Sequence, residues 1–203
     1  MQQQITNYPN RKLNRLADYD YSQTGWYFAT ICVKNKLEFF GEMKDEKMIL
    51  NKCGETVKAC WLEIPNHFPG ARLDEFMVMP NHIHGIVIID DAGNESVGNK
   101  DFCSLHERYH CPICFAKDFC SLHEGEIPWQ TKWSKSLSSI IRGFKIGVTK
   151  WCRENGQENF QWQKSFYDHV IRNEKALNNI REYICNNPIR WFRDRYNQEN
   201  LYY

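Results

Sequence analysis

The chain has 203 residues, long enough for one domain with an appendage and a proper hydrophobic core. Its composition, 42% hydrophobic and 25% charged, is that of a soluble globular protein, and no apolar run reaches membrane-spanning length. The polar start (Met1-Gln2-Gln3-Gln4) is no signal peptide, so nine cysteines, an odd number, point to a reduced cytoplasmic protein rather than a disulfide scaffold. The net charge of +1 hides an asymmetry: residues 1–129 carry 13 Lys and Arg against 18 Asp and Glu, and residues 130–195 carry 13 against 6. A basic C-terminal half suits a polyanion such as nucleic acid, or is simply an unevenly charged, solvated surface.

Residues 1–24 are polar, with a basic cluster (Arg11, Lys12, Arg15), and read as an arm that orders on a partner. Trp26 to Val33 is a strand by propensity, and a short strand around Met48-Ile49-Leu50 follows. Val57, Cys60, Trp61 and Ile64 fall on one face of a helix that Pro65 should end. Leu73 to Met79 is a second core strand, joined through a Pro80-Asn81 turn to a third strand from His82 to Ile89. That third strand is apolar on both faces beyond its start, which predicts an inner strand covered on both sides.

The segment from Asp90 to Gln130 breaks the pattern. Lys100-Asp-Phe-Cys-Ser-Leu-His-Glu107 recurs as Lys117 to Glu124, with Cys111-Pro-Ile-Cys114 between the copies. Thiols and imidazoles at 103–123 make a candidate structural zinc site, but the spacing matches no standard finger. A duplicated tract inside a tolerant insertion, 95–128, is the preferred reading. Ser136 to Arg153 is an amphipathic helix with Leu137, Ile140, Ile141, Phe144, Val148 and Trp151 on one face. Arg142, Lys145 and Arg153 lie opposite, as a solvated stripe or a phosphate track. Phe160 to Arg172 reads as a strand, after which Asn173 caps a last helix carrying Leu177, Ile180 and Ile184 inward, with Pro188 as its stop. Strand, helix, strand, strand, helix, strand, helix is the order of an α+β, ferredoxin-like (RRM-like) antiparallel sheet with one helix added. The domain is placed at 25–195, with a tail at 196–203.

Chemistry concentrates at the third strand's start. Strand side chains alternate, so His82 and His84 share one face and can hold one divalent metal with positions left open, or merely pack at a strand end. On the last helix, Tyr183 borders the apolar stripe and Asn187 comes round to the same side. A tyrosine hydroxyl, with a pKa near about 10, is a poor nucleophile until its electrophile is activated. A metal on the histidines, completed by Asn187 Oδ1, would orient a phosphodiester for attack by Tyr183 and store the bond as phosphotyrosine.

Seven ordered blocks carry a resemblance: Tyr19-Asp-Tyr-Ser22, Tyr27-Phe-Ala-Thr-Ile-Cys32, Leu73-Asp-Glu-Phe76, Met79-Pro-Asn-His-Ile-His-Gly85, Ser138-Ser-Ile-Ile-Arg-Gly-Phe-Lys145, Trp162-Gln-Lys-Ser-Phe-Tyr167 and Arg181-Glu-Tyr-Ile-Cys-Asn-Asn-Pro188. The sequence resembles the REP-associated tyrosine transposases, relatives of the single-tyrosine insertion-sequence transposases within the HUH (His-hydrophobe-His) endonucleases. The likeness runs from about Arg15 to Trp191 and excludes the insertion. It implies an HUH nuclease fold whose added C-terminal helix carries the nucleophile, acting on single-stranded DNA that folds into hairpins. It matches His82 and His84 to the HUH pair and Tyr183 to the nucleophile. Asn187 falls where many relatives carry a glutamine metal ligand. The metal implied is Mg²⁺ or Mn²⁺, with two imidazoles favouring manganese.

Arg142, Lys145 and the arm residues Arg11 and Arg15 are the expected DNA-backbone contacts. Two further readings stay open: a non-catalytic, domesticated hairpin-binding protein, and a small-molecule metallohydrolase using the histidine pair, with His169 as a further ligand. Monomer and homodimer are both compatible with the sequence.

Overall fold

The computed structural model describes residues 19–90 and 136–197. In chain order the elements are β1 (Gly25–Cys32), a hairpin of β2 (Gly41–Lys44) and β3 (Lys47–Leu50), α1 (Lys52–Leu62), α2 (Ile64–His67), β4 (Ala71–Met79), β5 (His82–Ile89), α3 (Leu137–Glu154), β6 (Tyr167–Ile171), α4 (Glu174–Cys185) and α5 (Asn187–Arg190). The main sheet has the order β4-β5-β1-β6 with every pair antiparallel, which is the ferredoxin-like arrangement the element order predicted. The expected short strand near Met48 is half of the separate β2–β3 hairpin. All eight residues of β5 are buried, as an inner strand requires.

Alternation along the strands sorts the core into two layers. On one face, Tyr27, Ala29 and Ile31 of β1 and Ile83 and Val87 of β5 meet Val57 and Trp61 of α1 and Ile140, Ile141, Phe144 and Val148 of α3. Gly85 makes this closeness work, since a Cβ there would stand 2.3 Å from Trp61 Cζ2. On the other face, Phe28, Ile86 and Ile171 pack against Leu177 and Ile184 of α4. Ser136 and Asn173 cap α3 and α4 through side-chain oxygens that accept from Ser139 N and Ala176 N.

Several boundaries differ from expectation, each for a local reason. The strand expected over 160–172 is confined to β6, because β6 pairs with β1 only from Trp26 to Thr30. Upstream, Phe160 is buried against Phe39, Phe40 and Trp162, and Trp162 forms an isolated bridge with Val33. The helices do break ahead of Pro65 and Pro188, α1 at Leu62 and α4 at Cys185, but the chain resumes at once as helix through both prolines. Each lies in the first turn of a short new helix, α2 or α5, where the missing N–H has no partner to lose. The end of the expected arm is part of the core: Tyr21 is buried, and the Tyr19, Tyr21 and Tyr27 rings pack together. Residues 1–18 with Arg11 and Arg15, the insertion with its zinc candidates, and 198–203 lie outside the described residues. Among the described residues, no helix is long and apolar enough to cross a membrane.

Candidate metal and tyrosine site

His82 and His84 open β5 on the α4 face, both essentially without solvent exposure, at 0% and 1%. Their Nε2 atoms point at each other, 3.0 Å apart. The tautomer of His82 follows from its neighbour. Asn81 Nδ2 donates to the carbonyls of Lys36 (2.9 Å) and Tyr196 (2.8 Å), which turns Asn81 Oδ1 toward His82 Nδ1 at 2.9 Å. His82 Nδ1 therefore carries the proton, and its Nε2 carries the lone pair. His84 Nδ1 lies 2.9 Å from Thr30 Oγ1, whose hydroxyl oxygen can accept in the same way and leave the second Nε2 basic. Burial first, then the neighbouring His84 and the Arg195 and Lys36 charges, hold His82 well below the ordinary imidazole range. Burial followed by Arg195 brings His84 down to about 3. Both rings are neutral at physiological pH, and two lone pairs converge on one point.

That convergence fits a divalent cation. Two imidazole nitrogens 3.0 Å apart are close enough to share one ion as neighbouring ligands.

Helix α4 delivers its phenol to the same point. Tyr183 Oη lies 3.4 Å from His84 Nε2, with the ring edge-on to His84 and to Phe28. Burial, then the Asp194 charge, raises the Tyr183 hydroxyl above its usual range; the Asn187 side chain and the Arg195 and Arg190 charges pull the other way. Asn187 is buried, and its Oδ1 has no hydrogen-bond partner. A buried carbonyl oxygen without a partner, on a side chain that reaches Tyr183, is a donor a cation could use.

A further acid, Asp194, escaped the sequence reading. Its carboxylate and the ring nitrogens of His82 and His84 all lie within 4.8 Å of one another. Flanked by Arg193 and Arg195, it reads locally as a solvated charge. A 3-10 turn, Trp191–Arg193, folds it back instead, and burial raises its carboxyl above the usual range. The same return brings the Trp191 and Tyr196 rings to 6.0 Å and 4.6 Å from the His82 ring. Asn197, also buried, donates from its Nδ2 to the Trp191 carbonyl at 3.4 Å. His169 is not in the acid–histidine group, and Tyr167 is a partly exposed ring against Phe28.

The expected DNA contacts lie elsewhere. Arg142 and Lys145, on α3, line a cavity of about 690 Å³ with Ile146, Lys150, Arg153 and Lys164. Lys145 is partly turned inward, its Nζ donating to the carbonyls of Gln163 (2.9 Å) and Ser165 (3.4 Å). Burial lowers its ammonium to about 8.

No family model matches the chain. An uncharacterised protein of Haemophilus influenzae is 42% identical over 186 residues, covering 92% of each chain. A protein of the same organism named as a REP-associated tyrosine transposase is 23% identical over 171 residues, covering 84% of this chain and 74% of that one. Among solved structures, a REP-associated tyrosine transposase bound to a REP hairpin superposes with a TM-score of 0.52 at 18% identity, covering 87% of this chain and 74% of that one. The chain thus belongs to one family with the Haemophilus influenzae protein of 42% identity, and its fold is that of a REP-associated tyrosine transposase.

Proposed function

We propose that the protein is a transposase-like, metal-dependent endonuclease and strand transferase for single-stranded, hairpin-bearing DNA, with Tyr183 as nucleophile. One observation carries the reading: the Tyr183 hydroxyl sits 3.4 Å from His84 Nε2, beside a second imidazole whose Nε2 faces the first. The similarity to a transposase solved with a REP hairpin supports hairpin DNA as the substrate class. His82, His84 and either Asn187 or Asp194 would hold Mg²⁺ or Mn²⁺, which when bound supplies charge stabilisation at a phosphoryl oxygen. Tyr183 Oη then forms a bond to phosphorus as the bond from phosphorus to the 3′ oxygen breaks. The phenolic proton leaves to water, and the departing oxygen takes one up. A 5′-phosphotyrosyl enzyme and a free 3′-OH result, and the reverse step rejoins strands without an external energy source. Arg142 and Lys145, with Arg11 and Arg15 of the arm, are proposed to bind the backbone, giving salt-sensitive affinity.

The test is incubation with Mn²⁺ or Mg²⁺ and hairpin oligonucleotides taken from inverted repeats beside the gene. A covalent adduct should form, and Tyr183→Phe should abolish it while leaving hairpin affinity unchanged. An adduct that persists in Tyr183→Phe would transfer the role to Tyr196, whose ring also lies against His82. A second reading is favoured by the complete burial of both imidazoles beneath Trp191 and Tyr196. A protein that keeps them covered binds hairpins without cutting, and intact binding with no adduct under either metal would establish it.

A further inference from the structure

The helix that carries Tyr183 meets the sheet through two kinds of contact. Leu177 and Ile184 lie on Phe28, Ile86 and Ile171, an apolar contact that resists separation but not sliding. The second contact is directional. Arg181 Nε lies 3.1 Å and 3.2 Å from the two oxygens of Asp74, and Nη2 lies 2.5 Å from Oδ2. Arg181 also donates to Asn178 Oδ1 at 3.2 Å, and its guanidinium lies 5.8 Å from the centre of the Trp26 ring.

Asp74 reaches this position because β4 is irregular there. Leu73 pairs with Val87 but Phe76 pairs with Gly85, so Asp74 and Glu75 together oppose the single residue Ile86. The extra residue lets Leu73 and Phe76, three apart, both enter the core on the α1/α3 face. Asp74 is left buried, 8% exposed, with its carboxylate held by Arg181 and by the Glu75 N–H at 2.6 Å. A carboxylate gripped by a guanidinium fork fixes direction as well as distance.

We propose that Asp74 and Arg181 are positioning residues: their ion pair clamps α4 to the edge strand and sets the approach of the Tyr183 hydroxyl to His84. The catalytic consequence rests on Tyr183 being the nucleophile; the geometric one does not. Asp74→Asn removes the charge with little change of shape, and Arg181→Gln does so from the exposed side should the first variant fold poorly.

In protein labelled at its tyrosine, histidine, tryptophan and phenylalanine rings, the wild type should show an NMR cross-relaxation peak between the Tyr183 and His84 rings. Either variant should lose it while the Trp61–Phe144 contact on the opposite face persists. At saturating hairpin DNA with Mn²⁺, adduct formation should slow by about a hundredfold, the scale of an ångström's misplacement, with affinity for the DNA unchanged. A Tyr183–His84 peak that survives in both variants overturns the proposal whatever the activity. So does a lost peak with an unchanged adduct rate. A lost peak in a protein whose wild type forms no adduct supports the clamp and removes only the nucleophile.

Discussion

The two faces of the sheet are built on different terms. On the α1/α3 face most inward groups are apolar, from Tyr27 and Ile83 to Trp61 and Phe144, with the buried Asp168 and the Trp61 indole N–H as polar exceptions. On the α4 face a smaller apolar patch shares the space with His82, His84, Asn187 and Asp194. Burying neutral imidazoles and an unpartnered amide oxygen costs stability that an apolar face would keep. A ligand that completed this face would offset that cost, and the facing Nε2 atoms, 3.0 Å apart, are donors it could use.

Variants on opposite faces should therefore separate folding from chemistry. Trp61→Ala empties the space above Gly85 and should cost about 3–5 kcal/mol in urea unfolding, with catalysis lost only as the protein unfolds. Tyr183→Phe should do the reverse, keeping the melting temperature while removing the adduct.

Metal addition sharpens the contrast further. Mn²⁺ at a hundredfold its dissociation constant should stabilise the wild type by about 2.7 kcal/mol, reversed by a chelator. Asp194→Asn and Asn187→Ala compete to be the variant that weakens this shift more, and the loser of that comparison is not the third ligand. Equal shifts for the wild type and a His82→Gln variant would place the metal away from the pair.

The smallest effect is expected in the α3 groove. The Lys145 ammonium is lowered by burial to about 8, so its charge disappears as pH rises through that value. Hairpin affinity should fall by a few-fold between about pH 7 and 9, and the fall should be absent in Lys145→Met, which lacks the titrating group. A pH-independent wild type would mean that Lys145 only supports the 163–165 backbone it already bonds.

The strands β1, β4 and β5, the helices α1, α3 and α4 with the Asn173 cap, and the pairing of His82 with His84 on one face were legible in the amino-acid order, because alternation and capping are local properties. So was the placing of Tyr183 beside an apolar stripe on the last helix. The reach of its hydroxyl to 3.4 Å from His84 was not, since it depends on how α4 lies on a sheet whose strands are far apart in sequence. Asp194 and Tyr196 were hidden for the same reason. Nothing local distinguishes an acid between two arginines from a solvated one, and only the turn at Trp191–Arg193 carries it inward. Asp74 and Arg181 stood in separate sequence blocks 107 residues apart, and the extra residue in β4 is what joins them. The sequence by itself determined which residue types and periodicities the chain would offer. The tertiary structure decided which distant polar groups share one buried point, because desolvation and ion pairing act only once the chain has closed around them.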